Sequence, residues 1–291
     1  MVSVMEYLEE LHRSMPKQLS VAGVIRWHNG TEEHFVIDPD RQFMAASVAK
    51  LSIALRVEGL VEDGPLNWND ELELKRSHIR RGTGVLRAFP VGTKLTLLQA
   101  FNLMLSESDN TATNVVLGHV DSQLEINRWI HRLTAINTGL TNRPDRLFES
   151  TTMSPRDALR LLKMLGPVAR AAMGQSHFVD GLRRPFAHFG LWSRSRYMLI
   201  MALAKACSAP GLNRLPRAWL IDFAINRRPS DTQVENKEGI LTAGGKTYLH
   251  DVGVIRLLDK AEIYIAVFTE DAPKGTIPLL TLEIIKHCLR V

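Results

Sequence analysis

Hydrophobic and polar positions repeat with different periods along the chain, and the changes of period divide it. The opening stretch "MVSVMEYLEELHRSMPKQLS" puts Val4, Leu8 and Leu11 on one face and Glu6, Glu9 and Glu10 elsewhere, the spacing of an amphipathic helix. "LSVAGVIRWH" then alternates, "NGT" marks a turn, and "EEHFVIDPD" reads as a second strand, which together predict a hairpin. From about 45 to 225 the period is mostly helical, with helices predicted at 46–60, 95–106, 109–119, 122–133, 154–171, 196–207 and 216–225. Pro and Gly cluster between them, and "RRGTGVLRAFPVGTKLT" (80–96) is a glycine-containing loop. The β pattern returns from 233 in "QVENKEGIL", "YLHDVGVIRLL" and "EIYIAVFTE", and an amphipathic helix covers roughly 277–289.

Strands at both chain ends with helices between them predict an α/β (α+β) fold. One antiparallel sheet is built from both termini and flanked by the terminal helices, and an all-helical domain is inserted. On this division residues 1–45 and 233–291 form the sheet domain and 46–232 the helical domain, with an extra Arg- and aromatic-rich segment at about 173–231.

Composition narrows the classes. A chain of 291 residues, 45% hydrophobic and 23% charged, is an ordinary globular protein with ample core. The net charge of +5 fits an anionic partner or a scatter of surface arginine equally well. No run of five or six like charges occurs, so no nucleic-acid partner is expected. Cys207 and Cys288 lie far apart in apolar helical contexts and read as buried free thiols; no metal and no cofactor are expected. No apolar stretch approaches 18 residues and the N-terminus lacks a basic region followed by an apolar one, so the expectation is a cytoplasmic protein with no membrane partner.

Three short patterns carry candidate chemistry. In "FMAASVAKLSIAL" (43–55), Ser47 and Lys50 are three residues apart on a predicted helix and so are neighbours on its surface. Ser47 can be a cap and Lys50 a snorkelling side chain. Alternatively Lys50 can take the proton of Ser47, provided burial or nearby positive charge lowers its pKa. In "MLSESDNTATN" (104–114), Ser108, Asp109 and Asn110 sit between two helices; a helix cap uses one of them and leaves two polar side chains for a cleft. In "ENKEGILTAGGKTYLHDVGVI" (235–255), Lys237 and Gly239 lie on a predicted strand before a glycine turn, where a plain surface lysine is the simpler reading of Lys237 alone.

Taken together, S-x-x-K, S-D-N and K-x-G in this order form the set found in class A β-lactamases and penicillin-binding proteins. The chain resembles that serine hydrolase superfamily in "AASVAKLSIAL", "RRGTGVL", "LMLSESDNTATNVVL", "STTMSPRDALRLL", "HDVGVI" and "IYIAVFTEDAP", over about two thirds of its length. The resemblance implies a β-lactamase/DD-peptidase-like fold and an acyl-enzyme on Ser47, formed from an amide, lactam or ester of a small molecule. It implies Lys50 as proton acceptor, Ser108 as proton shuttle, Lys237 as the charge holding both, and Asn110 as a substrate contact. It also implies an oxyanion hole from the backbone N–H groups of Ser47 and Ile240.

The sequence departs from the family's pattern at two places. The R-x-x-E-x-x-L-N stretch that supplies the water-activating glutamate of class A β-lactamases is absent from "GLTNRPDRLFESTTMSP" (139–155). Asp145 and Glu149 are carboxylates of that region without the matching position, so weak β-lactam turnover is expected. Glu238 stands where the family has Thr or Ser, among the substrate-binding positions Glu238, Gly239 and Asn110. It either faces the cleft and opposes an anionic substrate, or alternates to the other face of the strand. The segment 173–231 is open between a lid, a homo-oligomer interface and added helices; His177 and His188 within it show no partner spacing. The other functions compatible with the chain are a working β-lactamase or DD-peptidase, and a non-catalytic binder on the same fold.

Overall fold

The computed structural model describes residues 4–133, 138–139, 151–174, 232–257, 260–273 and 275–290. The predicted helices at 196–207 and 216–225, His177, His188, Cys207, Asp145 and Glu149, and all but the first two residues of the 173–231 segment lie outside them.

In chain order, helix α1 (Val4–Ser14) leads into the hairpin β1 (Leu19–Trp27) and β2 (Glu32–Ile37). A two-residue strand β3 (Phe43–Met44) precedes a 3₁₀ turn (Ala46–Ala49) and helix α2 (Lys50–Glu62). Strands β4 (Glu71–Glu73) and β5 (Lys94–Thr96) bracket a long loop, and helices α3 (Leu97–Ser106), α4 (Asn110–Leu117) and α5 (Gln123–Arg132) follow. Strand β6 (Thr152–Met153) pairs with β3 and is followed by α6 (Pro155–Met164) and α7 (Pro167–Gly174). Strands β7 (Thr232–Ala243), β8 (Lys246–Leu257) and β9 (Ala261–Glu270) and helix α8 (Thr276–Arg290) complete the described chain.

The five long strands form one antiparallel sheet in the order β2-β1-β9-β8-β7, so both chain ends do contribute to it. Alternation along the strands gives each face its own core. Val21, Ile25, Ile263 and Ile265 pack under Val4 and Leu8 of α1 and Leu280 and Ile284 of α8. Val24, Val252, Val254 and Phe268 face the other way, against α2 and α6 through Ile53, Val57, Leu161 and Leu162. The fold is the mixed α/β architecture expected from the pattern. Cys288 is a buried free thiol, which burial pushes up to about 12. Among the described residues no helix is long and apolar enough to cross a membrane.

Two predicted helices take a different form. The helix at 46–60 opens as a 3₁₀ turn, and the regular α-helix starts only at Lys50. The helix at 154–171 is two helices, because Gly166 and Pro167 interrupt it and Pro167 suits the first position of a new one. Glu58 of α2 caps that second helix. Its Oε2 accepts from Gly166 N at 2.8 Å and its Oε1 from Ala169 N at 2.9 Å. Burial raises its pKa, and the helix N–H groups oppose that rise. Because α2 also carries Lys50, the cap fixes the helix on which the site is built. Glu58→Ala is expected to cost about 1–2 kcal/mol of stability, measured by urea unfolding.

Candidate active site

Ser47 stands where an extended segment is turned sharply into a helix. Ala45 N donates to Thr151 O at 2.8 Å, which holds the incoming chain beside β6. Ala46 then takes φ +47°, a left-handed conformation that non-glycine residues rarely adopt, and the 3₁₀ turn begins. That turn has three residues per cycle, so side chains at i and i+3 eclipse. The departure from a regular helix therefore brings Ser47 over Lys50 more directly than an α-helix would. The Lys50 Nζ is 3.2 Å from Ser47 Oγ. Ser47 is partly exposed and Lys50 fully buried.

The second element is the connection between α3 and α4. Asp109 is the cap: its Oδ1 accepts from Ala112 N at 2.9 Å, and its Oδ2 accepts from Leu86 N at 2.7 Å. With Asp109 so occupied, Ser108 and Asn110 are the two that reach Lys50. Ser108 adopts φ +53°, and its carbonyl and hydroxyl oxygens lie 2.7 and 3.0 Å from Lys50 Nζ. Asn110 Oδ1 lies 3.0 Å from the same nitrogen, while Asn110 Nδ2 donates to Arg81 O at 3.1 Å and fixes which way the amide points.

The loop between β4 and β5 is sewn to this turn. Thr83 Oγ1 donates to Ser108 O at 2.7 Å, Asn110 N to Thr83 O at 3.1 Å, and Arg80 N to Thr111 Oγ1 at 3.0 Å. Gly84, at φ +106°, leaves no room for a side chain: a Cβ there would sit 2.1 Å from Asp109 Cγ.

The third element is β7, the edge strand of the sheet. Its register pairs Lys237 with Val252, which faces the helical layer, and Lys237 is nearly fully buried. Its Nζ donates to Glu238 O at 3.2 Å. Glu238, one residue on, pairs with Asp251, and the register puts it on the face of the strand opposite Lys237. Gly239 rests against the nucleophile turn, where an added Cβ would meet Ala45 O at 3.1 Å and Ala46 Cβ at 3.2 Å. Ile240, the next residue, is 63% exposed.

Electrostatics give the cluster its chemistry. Lys50 is pushed well below the ordinary lysine range, first by burial and then by the positive charge of Lys237, against the partial opposition of Asp109. A neutral amine has two N–H donors and one lone pair. Ser108 O and Asn110 Oδ1 can only accept, so they take both N–H groups. In its neutral form the amine would then keep its lone pair for the hydroxyls of Ser47 and Ser108.

His250 is a further member that sequence reasoning missed. It lies opposite Gly239 in the β7–β8 ladder, is buried, and stacks on Phe268 with ring centroids 4.2 Å apart. Its Nδ1 accepts from Thr269 N at 3.2 Å, so Nε2 carries the proton and donates to Met44 O at 2.8 Å. The imidazole thus ties the sheet to the strand that leads into Ala46 and Ser47. Its signal in the sequence was a single histidine in "YLHDVGVI", at a position of the alternation that faces inward. Among the described residues no three His, Cys, Asp or Glu side chains gather as a metal site.

Comparison with known proteins identifies the family and the fold. The profile of the Beta-lactamase enzyme family matches residues 4–180. Beta-lactamase VEB-1 of Pseudomonas aeruginosa is 22% identical over 254 residues, covering 86% of this chain and 77% of VEB-1. PBP-A superposes with TM-score 0.68 at 18% identity over 98% of this chain and 94% of its own, and a mutant of it is known as an acyl-enzyme complex with penicillin G. The chromosome-encoded β-lactamase of Vibrio parahaemolyticus superposes with TM-score 0.69 at 16% identity over 98% of each chain. The chain belongs to the beta-lactamase enzyme family and is a serine hydrolase.

Two outcomes follow from the buried bases. Burial lowers the His250 pKa from 6.5 to about 4, so the folded protein resists a proton that the unfolded chain accepts. The stability this contributes is present above pH ~6.5 and is lost as pH falls toward about 4. The loss is on the order of 3 kcal/mol in full, and His250→Asn should flatten that part of a Tm-against-pH curve. Lys50 is shifted in the same direction, but its ordinary pKa lies far above 7, so at neutral pH the cost is already expressed, because the unfolded chain binds the proton more readily. Lys50→Met should raise stability at pH 7 by about 1 kcal/mol or more in thermal unfolding.

Proposed function

We propose that this serine hydrolase works through an acyl-enzyme on Ser47, formed from the carbonyl of an amide, lactam or ester in a small molecule. The observation that carries this reading is the fully buried amine of Lys50, 3.2 Å from Ser47 Oγ, its pKa driven down by burial and by Lys237. As Oγ bonds to the carbonyl carbon, its proton passes to the Lys50 lone pair. The negative charge on the carbonyl oxygen is met by the N–H groups of Ser47 and Ile240, on the two backbones that Gly239 lets approach. The bond to the leaving group then breaks. Ser108 Oγ gives that group a proton and takes one back from Lys50, across the 3.0 Å contact. Lys237 keeps the surroundings positive while charge develops, and Asn110 aligns the amine and the substrate.

The substrate class we favour includes β-lactams, as the penicillin G adduct of the neighbouring PBP-A suggests. Glu238 lies on the strand face opposite Lys237, which is buried toward the helical layer, and it brings a carboxylate where the family has a hydroxyl. It also supplies none of the hydroxyl contact that the family's Thr or Ser would make. Deacylation is slow in this reading, because residues 139–155 lack the R-x-x-E-x-x-L-N pattern. The acyl group then waits for water or for an amine acceptor.

Intact-protein mass spectrometry with penicillin G tests this directly. A single adduct on Ser47 that persists for minutes is expected, absent in Ser47→Ala and formed at least ~10²-fold more slowly in Lys50→Ala. Failure of penicillin G and activated esters to label Ser47 would return the chain to a binding role. Fast steady hydrolysis of a chromogenic cephalosporin without any added acceptor would overturn the slow-deacylation part and leave a working β-lactamase.

A further inference from the structure

The loop between β4 and β5 does more than brace Ser108. Among the described residues, Ile79, Val85, Phe89 and Val91 are large apolar side chains left exposed, with Val85 at 50% and Phe89 at 51%. They account for half of all such side chains on the described surface, within thirteen residues of sequence. The same loop carries Lys75, Arg76, Arg80, Arg81 and Arg87, and no Asp or Glu occurs between Glu73 and Glu107. Those five cations equal the whole formal excess of +5 of the chain. None of the four arginines makes an ion pair with an acidic side chain among the described residues.

The exposure is not that of a loose segment. Leu86 is buried and its N–H is held by Asp109, Gly92 N donates to Leu74 O at 2.9 Å, and Arg80 and Thr83 are bonded to the α3–α4 turn. The apolar side chains are therefore displayed by an already ordered backbone, so little ordering opposes their burial against a partner.

We propose that residues 75–91 form a docking surface for an anionic lipid bilayer. Apolar tips rimmed by arginine fit the boundary between anionic headgroups and acyl chains, where both the charge and the apolar area find partners. A second copy of this chain would bring the same cationic patch against itself. A nucleic acid backbone would satisfy the arginines but leave Phe89 and Val91 in water. This departs from the expectation of no membrane partner, which was drawn from the lack of a spanning segment; a peripheral surface needs none. Docking through this loop would place the cleft beside the lipid, because Thr83 and Arg81 are bonded to Ser108 and Asn110.

Cosedimentation of the full chain with vesicles tests the surface. Binding is expected to vesicles of phosphatidylglycerol mixed with phosphatidylcholine at low ionic strength, at least tenfold weaker to phosphatidylcholine alone, and reduced by salt. Arg76→Gln and Arg87→Gln should each weaken it by roughly fivefold, and Phe89→Ser with Val91→Ser by a further several-fold. Unchanged thermal unfolding would show these variants folded. Ser47→Ala should bind like the parent, which separates this surface from the acyl-enzyme proposal. Three results would overturn it: no binding to anionic vesicles at low salt, variants that bind as the parent does, or self-association without lipid that the same substitutions abolish.

Discussion

The site rests on one amine placed where an ammonium is poorly tolerated. Neutralising a lysine of ordinary pKa at pH 7 costs on the order of 5 kcal/mol. Keeping it charged in the interior costs several kcal/mol as well, before the repulsion of a second buried lysine is counted. Lys50 is fully buried and Lys237 lowers its pKa further, so both terms work against the charged form. The neutral form also fits the hydrogen-bond geometry, because a carbonyl and an amide oxygen accept its two N–H groups and leave a lone pair over. The burial that makes Lys50 expensive to fold is what its proposed role as a base draws on.

That amine is useful only if the hydroxyls are held at it, and the backbone bears the cost. Ala46 and Ser108, both non-glycine, sit at φ +47° and +53°, one beside the nucleophile and the other at the shuttle position. Conformations of this kind cost about 1–3 kcal/mol each and persist where neighbours over-determine them. Around Ala46 the neighbours are Gly239 on one side, the Ala45–Thr151 bond on another, and His250 gripping Met44 from the sheet. Around Ser108 they are the Asp109 cap and Thr83. Strain on both sides of one lysine, each braced by a different element, keeps Ser47 and Ser108 within 3.2 Å of the same nitrogen.

Much of this was legible in the sequence because it is local. Alternation in 19–28 and 261–270 and the helical periods of 4–14 and 276–290 placed the sheet and its covering helices. The three motifs named Ser47, Lys50, Ser108, Asn110 and Lys237, and the structure brings Ser47, Ser108 and Asn110 to one amine. What escaped depends on contacts between distant segments. The pairs β3–β6 and β4–β5 are two and three residues long, too short to show a period. His250 acts on Met44 from 206 residues away, and Glu58 caps a helix 108 residues on. The 3₁₀ start at Ala46 follows from a tertiary wedge that helix propensity does not register.

The proposed proton circuit bears on the fate of the acyl group. In acylation Lys50 takes a proton from Ser47 and loses one to the leaving group through Ser108, so it ends neutral with its lone pair free again. Ser47 Oγ, now an ester oxygen, no longer has a proton to offer that lone pair. The vacancy suits a new donor, and either water or an amine can fill it and be deprotonated there. Water reaching the amine must still be aimed at the ester carbon, and the sequence lacks the glutamate pattern by which the family does so. An amine brings its own binding contacts and is the stronger nucleophile once deprotonated, so the same circuit favours transfer over hydrolysis whenever an acceptor fits. The choice between the two thus rests on positioning of the acceptor, because the base is equally ready for both.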